Sequence, residues 1–99
     1  MVRKGGTVGI GEAVKGYLSR AGLRERLEQT GVLEAWGELV GTQIARVTTP
    51  ESVTQDGTLF VRVASAAWMQ ELQLMTPTVM ARLREKSKAI RRIVWKAGG

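Results

Sequence analysis

Few of the residue types that usually carry chemistry occur in this sequence. It has no cysteine and no histidine. Disulfide staples, thiolate zinc sites, Cys- or His-based nucleophile pairs and the commonest metal ligand are therefore excluded. A general base could come only from Asp56 or the glutamates. Asp56 lies in Gln55-Asp56-Gly57, a turn signal in which the carboxylate serves the turn. Glu25, Glu28, Glu34, Glu38, Glu71 and Glu85 fall on predicted helices with Lys or Arg at helical spacing or nearby, the pattern of solvated helix faces. No catalytic site, metal, cofactor or small-molecule substrate is expected.

What remains is charge. Fifteen Lys and Arg stand against nine Asp and Glu, a net charge of +6. The surplus is lopsided: Arg82, Arg84, Lys86, Lys88, Arg91, Arg92 and Lys96 face the single acid Glu85, while the earlier sequence is close to balanced. A basic excess at one end is the footprint of a polyanion partner. Arg82 and Lys86 are four apart on one predicted helix face, as are Arg84 and Lys88. Arg92 and Lys96 fall on the outer side of a predicted last strand, on the sheet face that also carries Arg62 and Phe60. Cations with an aromatic among them suit a phosphate backbone and a stacked base. The candidate nucleic-acid-binding set is thus Arg82, Lys86, Lys88, Arg91, Arg92, Lys96, Arg62 and Phe60. The plainer alternative makes these ordinary solvated charges, with Phe60 covered by the first helices.

Trp36, Trp68 and Trp95 each fall on the predicted buried side of an element. Trp68 opens a helix directly after a strand, so with Gln70 and Glu71 it forms a candidate protein-contact patch. Two glycine patterns carry no chemistry. Gly6-Thr7-Val8-Gly9-Ile10-Gly11 has no preceding strand and no following Gly-Lys-Ser/Thr. Gly37-x-x-x-Gly41 lies in a charged amphipathic helix rather than an apolar membrane span.

The elements that must position these residues follow from periodicity. Ninety-nine residues, 43% apolar and 24% charged, suit one domain, placed at 10–99 after a flexible glycine-rich leader at 1–9. No run reaches the ~18 apolar residues of a membrane span. Met1-Val2-Arg3-Lys4 leads into Gly5-Gly6-Thr7 where a secretion signal needs an apolar run. A cytoplasmic, nucleoid-associated location is expected. Ile10, Val14, Tyr17 and Leu18 predict a helix stopping at Ala21-Gly22. Leu23 and Leu27 predict a second, closed near Thr30-Gly31. Leu33, Trp36, Val40, Ile44 and Val47 make one stripe on a helix of about 15 residues, locally weakened by Gly37 and Gly41.

Thr49-Pro50 ends that helix. Glu51 to Thr54, the Gln55-Asp56-Gly57 turn and Thr58 to Val63 form a hairpin, with Leu59, Val61 and Val63 on the core face. Ser65 caps a helix carrying Trp68, Leu72 and Met75. Thr76-Pro77 caps a further one carrying Val79, Met80 and Leu83 through about residue 87. Ile90 to Trp95 closes as a strand with Ile93 and Trp95 together. The expected fold is α+β: a three-stranded sheet with helices packed on one face, preceded by N-terminal helices.

Four ordered blocks carry a resemblance to a known family. They are Trp36-Gly37-Glu38-Leu39-Val40-Gly41-Thr42-Gln43-Ile44-Ala45 with Thr48-Thr49-Pro50; Asp56-Gly57-Thr58-Leu59-Phe60-Val61-Arg62-Val63; Ala64-Ser65-Ala66-Ala67-Trp68-Met69-Gln70-Glu71-Leu72; and Ile90-Arg91-Arg92-Ile93-Val94-Trp95-Lys96-Ala97-Gly98. Together they resemble the bacterial DciA family over about residues 10–98. The resemblance implies a KH-like fold of the second type. It also implies a non-enzymatic adaptor in DNA replication that recruits or loads the DnaB-type replicative helicase, with that helicase and single-stranded or forked DNA as partners. Two departures stand out. A nucleic-acid-binding KH domain has Gly-x-x-Gly between its paired helices, and this sequence has Met75-Thr76-Pro77-Thr78 there. Family members often continue into a basic tail, whereas this sequence ends at Gly99, which leaves any tail-dependent contact outside it. The alternatives are a KH-like RNA-binding module and a protein–protein adaptor with no nucleic-acid role.

Overall fold

The computed structural model describes residues 20–98. The expected leader, and the first helix of Ile10, Val14, Tyr17 and Leu18, lie outside them. Three helices come first: α1 (Arg20–Glu34), α2 (Trp36–Val40) and α3 (Thr42–Val47). Strands β1 (Thr48–Val53) and β2 (Thr58–Val63), helix α4 (Ala66–Lys86) and strand β3 (Arg92–Ala97) complete the order.

The sheet is three-stranded and mixed, in the order β1-β2-β3. Strand β2 pairs antiparallel with β1 and parallel with β3, and α4 makes the crossover that a parallel pair requires. Leu59, Val61 and Val63 on β2 are buried and meet Val32, Trp36, Val40, Ile44, Leu72, Val79 and Leu83 from the helices. Helices thus cover one face of the sheet. On the other, Arg62 is exposed and Phe60 half-buried, with no described helix over the ring. The α+β expectation holds at this level.

Helix boundaries depart from the sequence reading, each for a physical reason. Helix α1 runs through both Gly22 and Thr30-Gly31, where local rules predict stops. Thr30 is no terminator, because its hydroxyl bonds back to the Arg26 carbonyl one turn earlier at 3.1 Å. Tertiary bonds outweigh the glycine cost. The buried Gln29 amide donates to the carbonyls of Gln55 and Ala89, and Arg26 donates to the Val53 carbonyl at 2.6 Å. The single 15-residue helix expected over Leu33–Val47 is instead divided. Leu33 belongs to α1, and Gly41, at φ 91° and ψ 160°, separates α2 from α3. The stripe stays buried at Trp36, Val40 and Ile44 despite the break.

The two helices expected on either side of Thr76-Pro77 are one. Helix α4 continues through Pro77, which withholds a single backbone donor. Leu72, Val79 and Leu83 anchor it to the core on both sides of the proline. The Thr76 hydroxyl does not cap; it donates to the Leu72 carbonyl and accepts from the Trp95 indole at 2.9 Å. Ser65 does cap, accepting the Trp68 N–H. Strand β1 starts three residues before the expected position. Pro50 is tolerated because β1 lies at the sheet edge, where a missing donor breaks no ladder.

Gly57 fixes the hairpin against the last strand. Its φ is 90°, and its carbonyl accepts the N–H groups of Arg91 and Arg92 at 2.8 and 3.2 Å. A Cβ there would overlap the Ala89 carbonyl oxygen and stand 3.0 Å from the Arg91 nitrogen. Gly57→Ala should therefore cost about 1–3 kcal/mol from the left-handed backbone, with the overlap adding to it. A urea midpoint equal to that of the unaltered protein would contradict this role for the turn glycine.

Candidate nucleic-acid interface

The sheet face that no described helix covers is assembled by register. Thr58 pairs with Arg92, Phe60 with Val94 and Arg62 with Lys96. Because side chains alternate, Phe60, Arg62, Arg92, Val94 and Lys96 emerge together on the side away from the helices. The side chains of Arg62, Arg92 and Lys96 are 50%, 61% and 49% exposed. The Lys96 ammonium lies 6.0 Å from the centroid of the Phe60 ring, at the outer limit of a cation–π contact.

These cations are not bare. Glu51 binds Arg62 through Oε2 and Lys96 through Oε1, the latter at 3.1 Å. It reaches them because β1 is irregular: Pro50 pairs with Val61 and Ser52 with Phe60, so Glu51 is an extra residue in the ladder. A bulge re-aims side chains in this way. Asp56 binds Arg92 at 3.4 Å, and Arg92 also donates to the Thr58 hydroxyl at 3.0 Å. In the turn itself Asp56 accepts from the Thr54 hydroxyl and the Thr58 N–H, as a turn aspartate should. Both carboxyls sit below their ordinary values. For Glu51 the main cause is the Lys96 hydrogen bond, aided by the Arg62 charge. For Asp56 it is the Thr54 hydroxyl, then Thr58 and Arg92.

The remaining sequence candidates divide into separate places. Arg91 donates to the Asp56 backbone carbonyl at 3.4 Å and, with Lys88, Arg24, Glu25 and Glu28, lines a shallow groove of about 340 Å³ between α1 and the segment before β3. Lys88 lies beyond the end of α4, so it shares no helix face with Arg84. Arg82 belongs to the helix layer, where its guanidinium donates to the Val40 carbonyl at 3.3 Å. The Lys86 stem runs beside Gly31 of α1. The structure thus brings together Arg62, Phe60, Arg92 and Lys96 and sets Arg91 and Lys88 beyond one end of that face. Arg82 and Lys86 are on the far side of the sheet.

The protein-contact trio is divided as well. Trp68 packs against the core, whereas Gln70 and Glu71 are exposed. Gln70 lines a more apolar groove of about 430 Å³ at the carboxyl ends of β2 and β3, with Val63, Met69 and Ala97. Trp36 and Trp95 meet edge to face at 6.4 Å inside the fold. Among the described residues no three acids gather as a metal site, and no helix is long and apolar enough to cross a membrane.

Sequence reasoning missed Glu51 and Asp56 as partners of the cations. A turn aspartate two residues before a strand hints at the second. The first depends on a bulge at which Pro50 only hints, since a proline in a strand fits an edge position equally well.

The family model described as Dna[CI] antecedent, DciA, matches residues 9–94. A UPF0232 protein of Streptomyces coelicolor is 35% identical over 77 residues, which cover 77% of this chain and 40% of the relative. One of Streptomyces avermitilis is 31% identical over 77 residues, covering 77% of this chain and 42% of the relative. The UPF0232 protein Rv0004 of Mycobacterium tuberculosis is 31% identical over 74 residues, covering 75% and 39%. The chain therefore spans about two fifths of the length of these curated relatives.

The two carboxylates set the acid behaviour of the sheet. Lowered in the fold, they bind fewer protons there than in the unfolded chain, so their stabilisation is complete above ordinary carboxylate values. It is lost as pH falls through the lowered folded values. In denaturant titrations from neutral pH to about pH 2, the double variant Glu51→Gln/Asp56→Asn should show a shallower acid decline than the unaltered protein. Superimposable acid limbs would disprove the pairing.

Proposed function

The chain belongs to the DciA family, and from that premise we propose that it acts as a non-enzymatic adaptor in bacterial DNA replication, helping to place a DnaB-type helicase on DNA. Its fold is read as a variant of the KH layout of the second type, consistent with helices, two strands, a helix and a returning strand. In that layout the paired helices flank a Gly-x-x-Gly loop that holds the backbone of the nucleic acid. Here α4 passes unbroken through Met75-Thr76-Pro77-Thr78, so no such loop forms there. Recognition then shifts to the open sheet face.

One observation carries this reading. Arg62, Arg92 and Lys96 surround the half-buried Phe60 on a face that no described helix covers. Arg92 and Lys96 are four residues apart on β3, or about 13 Å at the rise of a strand. That spacing serves several phosphates of a strand whose base lies on the ring. Arg91 and Lys88 extend the positive track past the end of the sheet. The helicase surface is assigned to the opposite end, where exposed Gln70 and Glu71 stand beside the Met69 groove, with Trp68 holding the helix start in place. Binding energy rather than chemistry would then hold the helicase in a DNA-receptive state.

A specific observation favours a second reading, an adaptor for proteins alone: Glu51 and Asp56 already pair the sheet-face cations. A titration separates the two. Arg91→Ala/Arg92→Ala should weaken binding to a single-stranded oligonucleotide about three- to tenfold at low salt. It should also reduce the log–log salt slope by about 0.7 for each phosphate no longer neutralised. An unchanged slope removes Arg91 and Arg92 from the interface, and no binding at low salt leaves the protein-only adaptor. Tighter binding to RNA than to DNA of equal length would favour an RNA-binding module. A pull-down of purified replicative helicase, with and without single-stranded DNA, tests the partner directly.

A further inference from the structure

On the open sheet face one carboxylate engages two cations, each through its own oxygen. The Glu51 Oε2 takes the Arg62 guanidinium and its Oε1 the Lys96 ammonium. Two oxygens of one anion bridging an Arg and a Lys is also how the non-bridging oxygens of a phosphodiester are held. The arrangement is built rather than incidental. Glu51 is the extra residue of the β1 irregularity, and its side chain is 23% exposed, less than either partner. The Arg62 stem lies across Gly98, where an added Cβ would stand 3.0 Å from its Cδ and 3.1 Å from its Cγ. Next to this cluster Lys96 also reaches toward the Phe60 ring.

We infer that the position held by the Glu51 carboxylate, between Arg62 and Lys96 and beside Phe60, is a phosphodiester-binding subsite for single-stranded nucleic acid, with Glu51 as its resident stand-in in the free protein. The inference rests on the reading of this face as a nucleic-acid surface and specifies where on it a phosphate sits. Exchange is inexpensive because ion pairs at the protein surface, screened by water, contribute little to stability. The Glu51 side chain swings toward solvent as the phosphate enters, and the adjoining base stacks on the ring. Glu51 therefore lowers the affinity of the face below what its cations alone would give, and tunes it to ligands that can displace a carboxylate.

The test compares Glu51→Gln with Glu38→Gln, which makes the same change in net charge on the exposed side of α2, in the helix layer. Each is titrated with a fluorescent oligothymidylate across a salt series. Glu51→Gln should bind about three- to tenfold more tightly at low salt, with a slope steeper by about 0.7 per additional phosphate neutralised, whereas Glu38→Gln should follow the unaltered protein. Adding Lys96→Ala to Glu51→Gln should abolish the gain. Circular dichroism and the urea midpoint at neutral pH check that each variant is folded. If Glu51→Gln matches Glu38→Gln or binds more weakly, while the unaltered protein binds and Arg91→Ala/Arg92→Ala binds more weakly with a shallower salt slope, the subsite is wrong and the nucleic-acid face stands. If no variant binds even at low salt, both are wrong.

Discussion

Strand β2 holds the rest of the molecule in register. Leu59, Val61 and Val63 lie at 0–2% exposure beneath the helices, between two neighbouring strands. A slip of one residue would turn Phe60 and Arg62 into the core and these three into water. Burying a guanidinium without a matched partner is far more costly than breaking one hydrogen bond of the ladder. The same constraint that makes the core therefore dictates what the opposite face can show. Arg92 and Lys96 reach that face only because parallel pairing to β2 leaves them no other side.

Period-two segments and turn chemistry are readable from the residues. Strand β2, the Asp56-Gly57 turn, the Ser65 cap and the facing of Ile93 and Trp95 all depend on neighbours one to three positions apart. Helix limits are less readable, since distant groups set them. Gln29 secures α1 by bonds to Gln55 and Ala89, carbonyls that the primary sequence places far away. Pro77 is a stop by local rules, yet one missing donor counts for little beside Leu72, Val79 and Leu83. Gly41 shows the reverse, a break where the apolar stripe suggests continuity.

The lopsided charge is equally plain in the sequence, but its geometry is not. Sequence proximity joins seven cations into one track, whereas the crossover helix carries Arg82 and Lys86 to the opposite side of the sheet from Arg92 and Lys96. The acids matter as much as the cations. Glu51 and Asp56 come from β1 and the hairpin turn, a part of the chain whose charges look balanced, and are delivered to the cations by strand pairing. A count of charge along the chain therefore overstates the field above the sheet.

The parallel pairing of β2 with β3 also bears on how the chain assembles. The hairpin of β1 and β2 can close over a short turn, but β3 joins only after a 21-residue helix has crossed the sheet. Contacts that distant in sequence form late and slowly. Until they form, the inner strand has one naked edge, an open template for another extended chain. The last few residues before Gly98 thus do double service, completing the basic face and covering the second edge of β2.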